Sequence, residues 1–221
     1  MPDATAAALL STEARALAAM RQAVSLYRNP RDAAPLLVAA VARSRAAARS
    51  EGARTMVVEV KQSLPAMPAL PDLDRKYALR AVSGYLKALD GADAKREAGE
   101  TVHVPGIVAA KLDLIAATEV PGAFTEERER IERRVVQDNQ TFAGLLIKTW
   151  NARLDGACPV CRGLHRTKAL WGMDFAGGKK PGRAHLRCKC FQSFIPIPFA
   201  LRGGQRIEQR REGGVWEVVD E

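Results

Sequence analysis

All four cysteines of a 221-residue chain fall in one stretch, as Cys158-x-x-Cys161 and Cys188-x-Cys190, with His185 three residues before the second pair. A Cys-x-x-Cys turn presents two thiolates to one ion, and a second cluster further along the chain can close a tetrahedron round it. The spacing points to a structural zinc ion as the cofactor. It offers five candidate metal ligands, Cys158, Cys161, His185, Cys188 and Cys190, for four positions. Along an extended strand Cys188 and Cys190 point to the same side, so both reach one ion, and His185 is then either a ligand or a donor supporting one. The alternative, unrelated buried cysteines, does not account for the paired spacing. His165, four residues after Cys161, reads as a surface residue.

What surrounds these ligands argues for structure rather than catalysis. A catalytic zinc keeps an open position and has a proton-handling group nearby, whereas the one carboxylate between Cys161 and Cys190 is Asp174. A His-x-Glu half of a deaminase signature is missing. No catalytic residue is assigned, and the chain is not expected to be an enzyme. Asp155 and Gly156 form a turn ahead of the first cysteine. Trp150, Trp171 and Phe175 are expected to pack as a small core round the metal, because so short a segment cannot bury enough apolar surface alone. Zinc would then contribute on the order of 10 kcal/mol to folding it.

Charge adds a partner class. The chain carries 34 Lys and Arg against 25 Asp and Glu, a net +9, which favours a polyanion through counterion release. Lys179, Lys180, Arg183, Arg187 and Lys189 lie together with no acid among them. They are the candidate DNA contacts, double-stranded and non-specific; solubility and thiolate charge balance are the competing explanation. Aromatics make up 5% of residues, too few for a base-stacking surface. No run approaches 18 uncharged apolar residues, so no membrane span is expected. With Asp3 present and no basic residue before Arg15, a secretory signal is not expected either, which favours reduced cysteines.

The rest of the chain reads as helix. Leu10, Leu17, Met20, Val24 and Tyr27 mark one face of a first helix ended by Pro30. A second starts at Asp32 and stops near Gly52, with Leu36, Leu37, Ala40 and Val41 inward and Arg43, Arg45 and Arg49 outward. Residues 55–61 fit either a short strand or a helix end. Three prolines in 65–71 mark an extended connection between a helical region over 1–64 and another over 72–145. In the latter Asp72 caps a helix stopping at Gly91, residues 92–100 are solvated, and Pro105 opens a short helix to about Thr118. Pro121-Gly122 makes a turn, and Thr125 caps a helix whose EERERIERR run is its exposed surface, paired Glu126 to Arg130 and Glu129 to Arg133. Gly144 ends that helix. Residues 145–151 are preferred as a strand over continued helix, and 190–195 as a second strand closed by Pro196 and Pro198. A hairpin turning at Gly213-Gly214 follows. The expected fold is mainly α: a helical N-terminal region followed by a small zinc-stabilised α+β module with short β-hairpins, over 146–221.

The order Trp150, Asp155, Cys158-Pro159-x-Cys161-x-x-Leu164, Pro181, His185-x-x-Cys188-x-Cys190 resembles the C-terminal signature of the phage Mu protein F-like minor head proteins, the head morphogenesis family. The resemblance covers about a fifth of the chain. His165 stands where that family has glycine, Pro181-Gly182-Arg183-Ala184-His185 replaces its Pro-Pro-x-His, and Lys189 replaces an arginine. The resemblance implies a minor capsid component of the virion, inside the head. It would be associated with the phage portal protein and other head proteins, act in assembly, DNA packaging or ejection, and pass through the host cytoplasm during assembly. A zinc-ribbon-like DNA-binding regulatory protein is the alternative, and a metal-dependent nuclease the third.

Overall fold

The computed structural model describes residues 2–60, 64, 66–138, 146–152, 157–182, 184, 188, 190–196, 205–209 and 216–220. Four long helices come first: α1 (Pro2–Ser25), α2 (Ala34–Val60), α3 (Pro71–Glu97) and α4 (Val104–Asp138). After them come β1 (Leu146–Asn151), α5 (Pro159–Leu164), β2 (Lys168–Leu170), a 3-10 turn (Ala176–Gly178), β3 (Phe191–Pro196), β4 (Gln205–Gln209) and β5 (Trp216–Asp220). The fold is mainly helical, with a three-stranded antiparallel sheet in the order β2-β1-β3 and a separate antiparallel pair of β4 with β5. The turn at Gly213-Gly214, the end of the helix at Gly144, and Pro198 all lie outside the described residues. None of the described helices is long and apolar enough to cross a membrane.

Helices on both sides of the proline-rich connection share one apolar core. Leu9 and Met20 of α1, Leu37 and Val41 of α2, Val82 and Leu89 of α3, and Leu112 and Phe124 of α4 are buried in it, joined by Phe191 of β3. The stripe of α1 is Leu9, Thr12, Ala16, Met20 and Ala23, a spacing of three and four that faces one side. Of the face expected, Met20 is buried and Leu17 and Val24 pack against the same core, while Leu10 and Tyr27 are exposed. Thr12 can be buried there because its hydroxyl donates to the Ala8 carbonyl at 2.9 Å.

Three helices run longer than local signals suggest. At Gly52 α2 does not stop, since a Cβ there would sit 2.6 Å from the Phe124 carbonyl oxygen; the glycine lets α2 and α4 approach closely. Residues 55–60 are helical, with Thr55, Met56, Glu59 and Val60 buried. In α3 Pro71 takes the first turn and Leu70 makes no side-chain cap, so Asp72 is not the cap. The helix passes Gly91 with Ala92 buried, and ends where Gly99 adopts φ +84. There Gly99 N–H donates to Arg96 O and Glu100 N–H to Lys95 O, the paired bonds of a Schellman cap. The third, α4, runs straight through Pro121 and Gly122, and Thr125 is buried inside it rather than capping. Burial of Leu112, Ile115, Val120, Phe124 and Ile131 along the helix offsets the hydrogen bond lost at the proline.

The EERERIERR run is not a solvated surface. Glu127, Arg128, Glu129 and Glu132 are buried, as are Arg45 and Arg49 of α2. Arg45 Nε donates to Asp74 at 3.1 Å and its Nη2 to Glu126 at 3.1 Å, while Arg49 reaches the same two carboxylates at 3.0 and 2.6 Å. Glu126 therefore faces α2 instead of Arg130, which bonds Glu127. Glu129 takes Lys180 at 3.3 Å in place of Arg133. Arg128 is fully buried, pairs with Glu59 and stacks its guanidinium over Phe194 of β3 at 4.9 Å.

The sheet docks on α2 and α4 through a second cluster of Met56, Val60, Ile131, Val135, Trp171 and Phe194. Polar bonds fix it there: Phe194 N–H donates to Glu59 at 2.8 Å, and Glu132 accepts from Lys148 Nζ at 2.8 Å and Gly172 N–H at 2.7 Å. In β1 Trp150 pairs with Gln192 and Lys148 with Phe194 across the ladder to β3. That placement brings the chain leading out of the second cysteine pair alongside β1.

Candidate metal centre

Each cysteine pair is presented by the element beside it. Cys158 precedes α5 with extended backbone (φ −68, ψ 162), and Pro159 fixes the first turn. The sulfur of Cys158 accepts the Cys161 N–H at 3.4 Å and its carbonyl accepts Arg162 N–H at 2.9 Å. Cys188 and Cys190 lie immediately before β3, whose pairing with β1 holds them over Trp150. After α5 the chain is tied back to β1: Arg166, at φ 65, donates to Trp150 O at 2.8 Å, and His165 Nδ1 accepts the Ala152 N–H at 3.1 Å. His165 therefore braces the segment.

The result is a group of three buried sulfurs, Cys161, Cys188 and Cys190, all within 4.8 Å of one another. Among the described residues it is the one group of this kind. Cys161 Sγ lies 3.8 Å from Cys188 Sγ, far beyond a disulfide length of about 2.05 Å. A tetrahedral zinc with Zn–S bonds of about 2.3 Å requires sulfurs about 3.8 Å apart along each edge, so this spacing fits the ion. Cys158, half-buried and bonded to Cys161, stands next to the trio and is the nearest further sulfur donor. His185 and Asp155 lie outside the described residues. A zinc ion held here would supply a structural crosslink between α5 and β3.

Thiol electrostatics agree with a cation site. The Cys188 thiol is brought down to about 5 by the hydrogen bond from Cys190, and that same bond holds Cys190 well above the ordinary thiol value. Burial pushes Cys161 up to about 12. Backbone N–H donation from Cys161 lowers Cys158. As ligands, Cys161 and Cys190 would have to give up their protons to the positive charge of a bound ion.

The expected aromatic core is present in part. Trp150, fully buried, meets Phe175 edge to face at 5.3 Å, and both share a cluster with Cys161, Cys188 and Cys190. Trp171 belongs instead to the neighbouring cluster with Phe194. Of the candidate DNA contacts, Lys179 is exposed and Lys180 pairs with Glu129, while Arg183, Arg187 and Lys189 lie outside the described residues. Two residues that sequence reading did not single out support the site, Glu132 and Lys148. Their signal was available: Glu132 adjoins the apolar Ile131, and Lys148 alternates with Trp150 on β1.

No family model, no curated protein and no solved structure matches this chain.

Proposed function

We propose that this chain is a minor head protein of a tailed phage, of the Mu protein F-like kind, whose C-terminal module is held by one structural zinc. Cys158, Cys161 and the Cys188-Cys190 pair are the assigned ligands, with His185 as the competitor for one position. The observation that carries the reading is the meeting of Cys161, Cys188 and Cys190, 27 and 29 positions apart in sequence, within 4.8 Å beside Trp150. These are the residues on which the resemblance rests. Cys161, Cys188 and Cys190 are only 1–2% exposed, which supports a structural part over an enzyme. The net +9 suits a protein working against packaged double-stranded DNA inside the capsid, bound without sequence preference.

The deciding experiment is purification of DNA-filled heads from infected cells. The chain should co-sediment with them and with the portal ring, and carry about one zinc per polypeptide. Absence from purified heads, together with tight binding to one DNA sequence, would replace this reading with the zinc-ribbon regulator.

A further inference from the structure

Beside the metal centre, between the end of α4 and the sheet, lies a cavity of about 240 Å³ that the zinc reading does not use. Its floor is built from buried polar groups. Gln192 of β3 is 1% exposed, and its side-chain amide nitrogen has no hydrogen-bond partner. An unmet buried N–H costs about 1–3 kcal/mol, so this donor calls for an oxygen from outside. Next to it Lys148 is tied to Glu132, whose carboxylate also accepts from Gly172.

The rim decides the charge of the occupant. Arg133 and Lys179 are exposed there, and neither enters an ion pair among the described residues. Lys180 is held by Glu129, and Asp174 supplies the third carboxylate. Four cations therefore meet three carboxylates round the cavity, leaving one positive charge in excess. One negative charge on an oxygen-rich group satisfies both the excess and the Gln192 donor.

We infer that this cavity is a phosphodiester site: Gln192 at the floor and Arg133 and Lys179 at the rim grip one backbone phosphate of double-stranded DNA. A diester carries the single charge the cavity lacks. The choice of polymer rests on the DNA contact in the proposed function and the net +9; the choice of an oxyanion rests on the cavity alone.

The test is fluorescence anisotropy of a short mixed-sequence duplex with the full chain at several salt concentrations. Arg133→Ala and Lys179→Ala should each weaken binding roughly tenfold near 50 mM salt and lower the salt slope by about 0.9, as for one lost phosphate contact. Lys76→Ala on the exposed side of α3 should leave the slope within error. Gln192→Leu should weaken binding without changing the slope, and the two rim variants decide the matter if that buried change impairs folding. Equal effects at Lys76 and at the rim overturn the site, as does a duplex that does not bind. Displacement of the duplex by inorganic phosphate, when chloride of equal ionic strength leaves it bound, reassigns the cavity to a free anion. Displacement by polyglutamate but not by phosphate reassigns it to an acidic protein partner. Sedimentation with heads is independent of all these outcomes, so the head-protein reading and the phosphate site fail separately.

Discussion

Two glycines in neighbouring helices show how far a residue's role depends on what lies opposite it. A Cβ at Gly52 would meet the Phe124 carbonyl oxygen at 2.6 Å, whereas one at Gly84 would meet nothing within 4 Å. Gly52→Ala must push α2 from α4, and should lower stability by about 1–3 kcal/mol. Gly84→Ala only removes backbone freedom from the unfolded chain, and should raise stability by up to about 1 kcal/mol. Urea unfolding followed by helical ellipticity separates the two; the same sign for both would discard the close-approach argument. Sequence alone reads Gly52 as a helix stop, because the feature that uses it comes from a segment about 70 positions later. Sequence alone puts Arg45 and Arg49 outward for the same reason: their carboxylates, on Asp74 and Glu126, lie 25–81 positions away. That the cysteines meet is legible from the short fixed spacing within each pair.

At the scale of elements, α4 and the sheet are joined by a buried ion pair. Lys148 of β1 and Glu132 of α4 are 5% and 3% exposed. Burial pushes the Glu132 carboxyl above its ordinary value, and the charge of Lys148 pulls it part of the way back. A carboxyl raised in the folded state contributes stability below its ordinary pKa of about 4.3 and loses it as pH rises through the raised value. Lys148→Met removes the opposing pull. Its cost should be small in acid and grow to about 3–5 kcal/mol at neutral pH, because a buried carboxylate then has no counterion. Adding Glu132→Gln removes the titrating group and keeps an oxygen for Gly172 N–H, so the double variant should recover most of the loss and flatten its pH dependence. Unfolding midpoints from pH 4 to 8 distinguish this from packing loss alone, which would be independent of pH. The strands expected at 145–151 and 190–195 lie within a residue of β1 and β3, since β-branched and aromatic runs there are short and bounded. The 35-residue length of α4 is not legible in the same way. Pro121 is a strong local breaker, and only the stripe buried against α1 and α2 overrides it.

Taken whole, the molecule has a helical core that stands apart from the cysteine cluster. The main cluster draws on α1 to α4 and takes just Phe191 from the sheet, while the third cluster consists of Trp150, Ala152, Phe175 and the cysteines themselves. That third cluster is small, and the proposed zinc would offset the conformational entropy of ordering its loops. Chelation, or Cys161→Ser, should therefore expose residues 157–190 to protease while most of the helical ellipticity persists. The sheet will still report the loss, because Phe194 sits over Arg128 and its N–H is bonded to Glu59. Stripping the metal removes a ligand that binds the folded form, so the apparent melting temperature should fall even though the helices remain at room temperature. Circular dichroism and limited proteolysis on the same chelated sample make the comparison direct. Helices that melt together with the cysteine segment would mean that the four-helix core depends on the sheet docked against it. In that case zinc would hold the whole chain rather than its C-terminal module.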